Sequence, residues 1–277
     1  MTRAVSARHL AILVLLSAWA NVLAADTASG AELTDATVAA WDRYVEATEA
    51  RRARELADER RFLALDFGDR AADARQAVLR GELVVVEAAG AADGDGVRIA
   101  GGTIHHWRAA VFVPGITLDR LLAALRDPER HGYAPPGVLS RRLLHRDNDR
   151  ERVFLRVRRQ EIVTAVFNTE HDVEFRRHVR GRAESRSIAT RIAELAGQDD
   201  ESREKPVGRD RGFLWRLNSY WRYEAVPGGV VVELESLTLS RSMPGVLRPV
   251  AEPIVTRIAR ESIASTLAGI RDQLGRM

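Results

Sequence analysis

The segment GFLWRLNSYWRYEAVPGGVVVELESLTLSRS, residues 212–242, reads as an aromatic hairpin followed at once by one long amphipathic helix. Pro227, Gly228 and Gly229 mark the turn between runs rich in aromatic and β-branched residues. If Val226 to Gly229 form that turn, Tyr223 faces Val232, Trp221 faces Leu234, Leu217 faces Thr238 and Trp215 faces Ser240, all on one side of the ribbon. On the other side Arg222 meets Glu233 and Tyr220 meets Glu235. A register two residues away opposes Glu224 to Glu233, and like charges directly across a strand pair are unfavourable. The first register therefore predicts an aromatic inner face and a charged outer one, the pattern of a sheet covered on one side.

Pro244 breaks the second strand, and from about Val246 the residues Leu247, Val250, Ile254, Ile258, Ile263, Leu267, Ile270 and Leu274 recur close to a 3.6-residue period. Pro249 and Pro253 weaken the first turns, so regular helix is expected from Pro253 at the latest. Such a helix laid across the aromatic face of a twisted sheet encloses space.

Period-two patterning continues upstream. Expected strands are Glu82–Ala88, Ile104–Val113, Val138–His145, Arg150–Arg159, Ile162–Val179, Ala183–Leu195, Phe213–Ala225 and Val230–Ser240. They are separated by turn signals at Asp93-Gly94-Asp95-Gly96 and Asp147-Asn148-Asp149, and by a polar loop from Gly197 to Arg211. Thr117 can cap a short helix, Leu118–Arg126, that Pro128 ends. Nearer the N-terminus, Thr34 can cap a helix to about Ala57 with Val38, Trp41 and Val45 on one side. Its second half, EARRARELADERR, alternates in sign and reads as a solvated face. We expect this helix to pack on the outside of the main domain rather than to reach for a partner.

Residues 1–24 have the form of a secretory signal: Arg3, Arg8 and His9, then the apolar run Leu10–Leu16, then small residues up to Ala24. The run is shorter than the roughly 20 residues a spanning helix needs. The expected partition is a signal peptide over 1–24, a linker and helical extension over 25–80, and one domain over 81–277. The mature chain is thus expected to be periplasmic or secreted, with no stable membrane span. It contains no cysteine, so packing alone must hold it together. About 250 residues can bury enough surface to do so. Removal of Arg3 and Arg8 takes the net charge from +3 to +1, too little for a nucleic-acid footprint, and no such partner is expected.

The order of elements, with GFLWRLNSYWRYE (212–224), LESLTLSRSMP (234–244) and RESIASTLAGIRDQL (260–274), resembles START-like proteins of the SRPBCC, or helix-grip, superfamily, and in particular uncharacterised exported bacterial members. The resemblance spans roughly Glu82 to Leu274. It implies an α+β fold, a curved antiparallel sheet wrapped around the C-terminal helix, and an internal hydrophobic cavity. A hydrophobic or amphipathic small molecule, lipid-like, is the implied partner. No catalytic residue transfers, because the superfamily shares no catalytic motif.

The residues themselves offer modest chemistry. His105 and His106 point to opposite sides of a strand and so cannot share one metal ion. No metal-binding, phosphate-binding or nucleophile-elbow spacing is present, and no cofactor or metal is expected. His105 and Trp107 share a face, His171 interrupts an apolar row, and Ala183, Ser185, Ser187, Ala189 and Arg191 form a row of small side chains ending in a cation. Turned inward, that row leaves room for a ligand and Arg191 pairs with its head group; turned outward, Arg191 merely caps the sheet. The candidate ligand-binding set is His105, Trp107, His171, Arg191, Trp215, Trp221, Tyr223 and Ile258. Two other readings stand beside the binding protein: an enzyme of the same fold, a cyclase, dehydratase or hydrolase with a cavity histidine as general base, and an envelope structural or interaction protein whose interior is filled by side chains.

Overall fold

The computed structural model describes residues 31–88, 96–160, 164–197, 203–242 and 248–275, with the side chains of 31, 160 and 248–256 excluded. The signal-like segment 1–24, the Asp93–Asp95 turn, the start of the strand expected from Ile162, and Pro244 lie outside them. After the short strand β1 (Ala31–Glu32), α1 (Asp35–Leu56) begins where Thr34 accepts the amide of Thr37. A 3-10 turn (Ala64–Phe67) and α2 (Ala71–Leu79) follow, neither of which the periodicity had marked. Next come β2 (Val84–Glu87), β3 (Val97–Ile99), β4 (Gly102–Pro114) and α3 (Leu118–Arg126), with Thr117 capping α3 as expected. The remaining strands are β5 (Val138–Asp147), β6 (Arg150–Gln160), β7 (Thr164–His178), β8 (Arg182–Glu194), β9 (Arg209–Asp210), β10 (Arg216–Val226) and β11 (Gly229–Arg241). The chain closes with α4 (Arg248–Leu274), which runs through Pro249 and Pro253. Pro249 falls in the first turn, where its missing N–H has no carbonyl to serve.

Nine strands form one antiparallel sheet in the order β2-β4-β11-β10-β8-β7-β6-β5, with β3 also on β4, while β1 and β9 pair separately. The β10–β11 register is the one charge opposition selects: Trp221 faces Leu234, Tyr223 faces Val232 and Arg222 faces Glu233. β4, which is early in the chain, pairs with β11, which is late, from Gly102↔Arg241 to Pro114↔Gly229. On the inner face, Val111, Val113, Val230, Val232 and Leu234 pack against Leu118 and Leu121 of α3 and Ile263, Leu267, Ile270 and Leu274 of α4.

The outer face is covered over β4, β11 and β10, contrary to the pattern. Trp41 of α1 packs on Ile104, Tyr220, Leu237 and Leu239, and Phe62, Leu63 and Val78 cover Ala110 and Val231. The charged half of α1 is likewise buried where the sheet offers partners. Arg52, 4% exposed, bonds Glu235 at 3.1 Å and reaches Glu184 at 3.6 Å, while Glu55 takes the Arg222 guanidinium at 2.7 Å. Glu235 also accepts from Arg51, and it meets His106 at 2.7 Å. Burial acts to raise Glu235, but the His106 hydrogen bond and the Arg51 and Arg52 charges outweigh it and hold the carboxyl well below its ordinary range. Arg222 and Glu233 are cross-strand neighbours, yet Glu233 is spent on the amides of Ala64 (2.7 Å) and Leu65 (2.9 Å). An alternating-sign segment is thus solvated only when nothing complementary faces it, and here the sheet supplies the complement.

Candidate ligand site between the sheet and the C-terminal helix

α4 packs along β4, yet Arg159 of β6 also contacts Ser262 of the same helix. In the sheet β4 and β6 are five strand spacings apart, about 24 Å along a flat sheet. Both can touch one helix only if the sheet bends around it, so the inner faces of β11, β10, β8 and β7 line a hollow. Its far end is shut by the loop after α3: Gln273 accepts from Ala134 at 2.9 Å, and the absence of a side chain at Gly269 lets Pro136 approach, since a Cβ there would come within 2.8 Å of it. Side chains in the middle of the sheet remain only half-buried, among them His105, Ser187, Ser219, Trp221, Ser236 and Thr238. They are on interior strands, so the space they face is the hollow.

Strand register arranges this surface in rows. One runs Ala109, Leu234, Trp221, Ser185, Phe175 across β4, β11, β10, β8 and β7. The next runs Trp107, Ser236, Ser219, Ser187, Val173, and the third begins at His105 and Thr238 and ends at Ala189 and His171. The two histidines stand at opposite walls. His105 meets Ser240 at 3.2 Å, and burial lowers it to about 4; His171, 4% exposed, is likewise lowered to about 4 by burial. Thr169 donates its proton to the Leu155 carbonyl at 3.1 Å, so at 2.9 Å it accepts from Nε2–H of His171. Nδ1 then accepts from Ser187 at 3.3 Å. Trp221 stacks on Tyr223 with centroids 6.3 Å apart, and the Tyr223 hydroxyl meets Ser185 at 3.0 Å.

Of the candidate residues, His105, Trp107, His171, Trp221 and Tyr223 share the inner face. Ile258 lies half-buried on α4 beside Ala259, which packs on the inner core. Two are placed elsewhere. A bulge between Glu170 and His171 leaves Thr190 unpaired, so Arg191 opposes Glu170 rather than continuing the inward row. It binds Glu204 instead. Trp215 precedes the β10 ladder; its indole N–H donates to Asp210 at 3.2 Å and its ring packs with Trp41 under α1. Ser219 and Ser236 were missed as singletons, although the hairpin register already set them opposite each other on the Trp221 face.

Strand, strand, short helix, antiparallel run and long C-terminal helix are the elements, and the order, that the resemblance requires. The fold is a helix grip. No family model and no curated protein matches the chain. Among solved structures, the chain is similar to a STAR-related lipid transfer protein from Xanthomonas axonopodis, at 14% identity over 70% of this chain and 99% of that one, with a TM-score of 0.47. An aromatase/cyclase from a Streptomyces species is similar at 14% identity over 62% and 94%, with a TM-score of 0.42. A START superfamily protein from Mycobacterium smegmatis is similar at 16% over 61% and 99%, with a TM-score of 0.38. At such identities the site is defined by this chain's own residues.

Proposed function

We propose that this chain is an exported binding protein that holds a hydrophobic or amphipathic, lipid-like molecule in the hollow between the sheet and α4. The observation that carries the reading is the closure of the bent sheet onto α4 around side chains that stay half-buried at its centre. Burial of apolar ligand surface drives binding, at about 25 cal/mol per Å² before the cost of association. Export rests on the signal-like residues 1–24, and no helix among the described residues is long and apolar enough to cross a membrane. Native mass spectrometry of protein purified gently from its own envelope, followed by organic extraction, tests both parts. A co-purifying apolar molecule and a mature N-terminus near Ala25 are expected; an empty protein counts against the carrier, and an intact Met1 against export.

A second reading, an enzyme, draws on one feature. Ser187, His171 and Thr169 are linked in the order nucleophile, base and orienting group. Against it stands the low basicity of His171, which at about 4 is a weak general base near neutral pH. Hydrolysis of p-nitrophenyl esters that disappears in Ser187→Ala would favour the enzyme.

A further inference from the structure

The inner face carries a donor with nothing to donate to. Trp107 is 8% exposed, and its Nε1–H is buried without a hydrogen-bond partner among the described residues. An indole N–H can only donate, and a buried donor left unmade costs about 1–3 kcal/mol. Next in the same row stand Ser236 and Ser219, opposite each other on β11 and β10. Both are half-buried, and neither hydroxyl bonds another described residue. One buried donor and two adaptable hydroxyls therefore share one row of the inner face, beside the row that carries Trp221.

Building on the carrier reading, we propose that this patch is a subsite for an uncharged oxygen, so that the ligand is a neutral amphiphile (an alcohol, ester or ketone on an apolar body) rather than a fatty acid or a phosphate ester. The donor calls for an acceptor, which excludes an ammonium group at this point. The surroundings exclude an anion. Trp107 is flanked on β2 by the acidic residue Glu87, which disfavours a second negative charge beside it. The histidines on the neighbouring row are held neutral at pH 7. The nearest inward arginine on the far wall, Arg159, is five strand spacings from Trp107 and engaged with α4. Among the described residues no cation is placed against the serines, and burying an ionised head group unpaired costs several kcal/mol. A carbonyl or hydroxyl incurs no such penalty, and it restores the missing bond of Trp107.

Native mass spectrometry of the protein incubated with an equimolar mixture of 1-oleoylglycerol and oleate at pH 7.5 tests this. The two share one acyl chain and differ in the charge of the head. We expect the glycerol ester to be bound in at least about tenfold excess, the ratio that a 1.4 kcal/mol difference produces. Trp107→Phe, which keeps an aromatic ring and loses the donor, should reduce that excess several-fold at unchanged melting temperature. Ser219→Ala/Ser236→Ala, at half-buried positions, should do the same and serves if the tryptophan variant folds poorly. Equal occupancy, or an excess of oleate, overturns the neutral-oxygen subsite and leaves the carrier standing. Binding of neither lipid overturns both.

Discussion

At the residue scale the arginine at 222 is the most exacting side chain in the fold. It is fully buried, it bonds Glu55 at 2.7 Å and the Phe62 carbonyl at 2.9 Å, and it neighbours Glu233. Arg222→Ala removes the buried cation beside Glu55 and Glu233 and orphans the Phe62 carbonyl, leaving Glu55 with Arg51 and Glu233 with the Ala64 and Leu65 amides, and urea unfolding should register a loss of about 3–5 kcal/mol; a loss below 1 kcal/mol would show that water replaces the guanidinium. The two inner histidines set a pH dependence of definite sign. Their folded values, about 4, lie below the unfolded value near 6.5, so the unfolded chain binds the extra protons first. Their contribution is complete above pH 6.5 and is lost as pH falls from there to 4, at up to about 3 kcal/mol for each histidine. Melting temperature measured from pH 7 to pH 5 should fall for the native protein and stay nearly flat for His105→Gln/His171→Gln. An equal slope in both would mean that the rings are hydrated. The same residue scale explains which site residues were legible. His105, Trp107 and Trp221 follow strict alternation, whereas Arg191 and Trp215 sit beside a bulge and before a ladder's first pair, where alternation no longer specifies a face.

Among the elements, the β10–β11 hairpin was readable because its turn residues and its charges agree on one register. The turn leaves little latitude. A Cβ on Gly229 would sit inside van der Waals distance of the Val113 carbonyl oxygen and the Phe112 ring on the adjoining strand. Gly229→Ala must push β4 away from β11 and is expected to cost about 1–3 kcal/mol. Thermal unfolding measures it, and an unchanged midpoint would mean that the turn can shift freely. Helix α1 shows the opposite case. Its boundaries followed from the Thr34 cap, but its environment depended on Glu235 and Glu184, which are more than a hundred residues away. No local pattern reports what a helix will face. α2 was invisible for a simpler reason: AADARQAVL is nine residues long and buries only Val78.

On the scale of the whole molecule, β4, β11 and β10 are covered on both faces, and the two covers differ in kind: apolar α3 and α4 inside, a charge-bearing extension outside. The extension is therefore part of the folded unit. A chain starting at Asp58 loses Trp41, Arg51, Arg52 and Glu55 together, which bares the Leu237 and Leu239 face and takes from Glu235 both its arginines and from Arg222 its Glu55 partner. We expect that truncated protein to lack a cooperative melt by circular dichroism; a sharp transition near that of the full chain would make the extension dispensable. The pairing of β4 with β11 has a temporal meaning as well. Its partners are separated by 115 residues at Pro114↔Gly229 and by 139 at Gly102↔Arg241. Contacts so distant along the chain form slowly, because a long loop must close before they are rewarded. During synthesis β4 must wait for the last stretch of the chain to emerge, and α1 waits with it for Glu235. A polypeptide whose keystone strand arrives last cannot complete its sheet until translation is nearly over, so a stalled or shortened chain leaves β4 with an open edge.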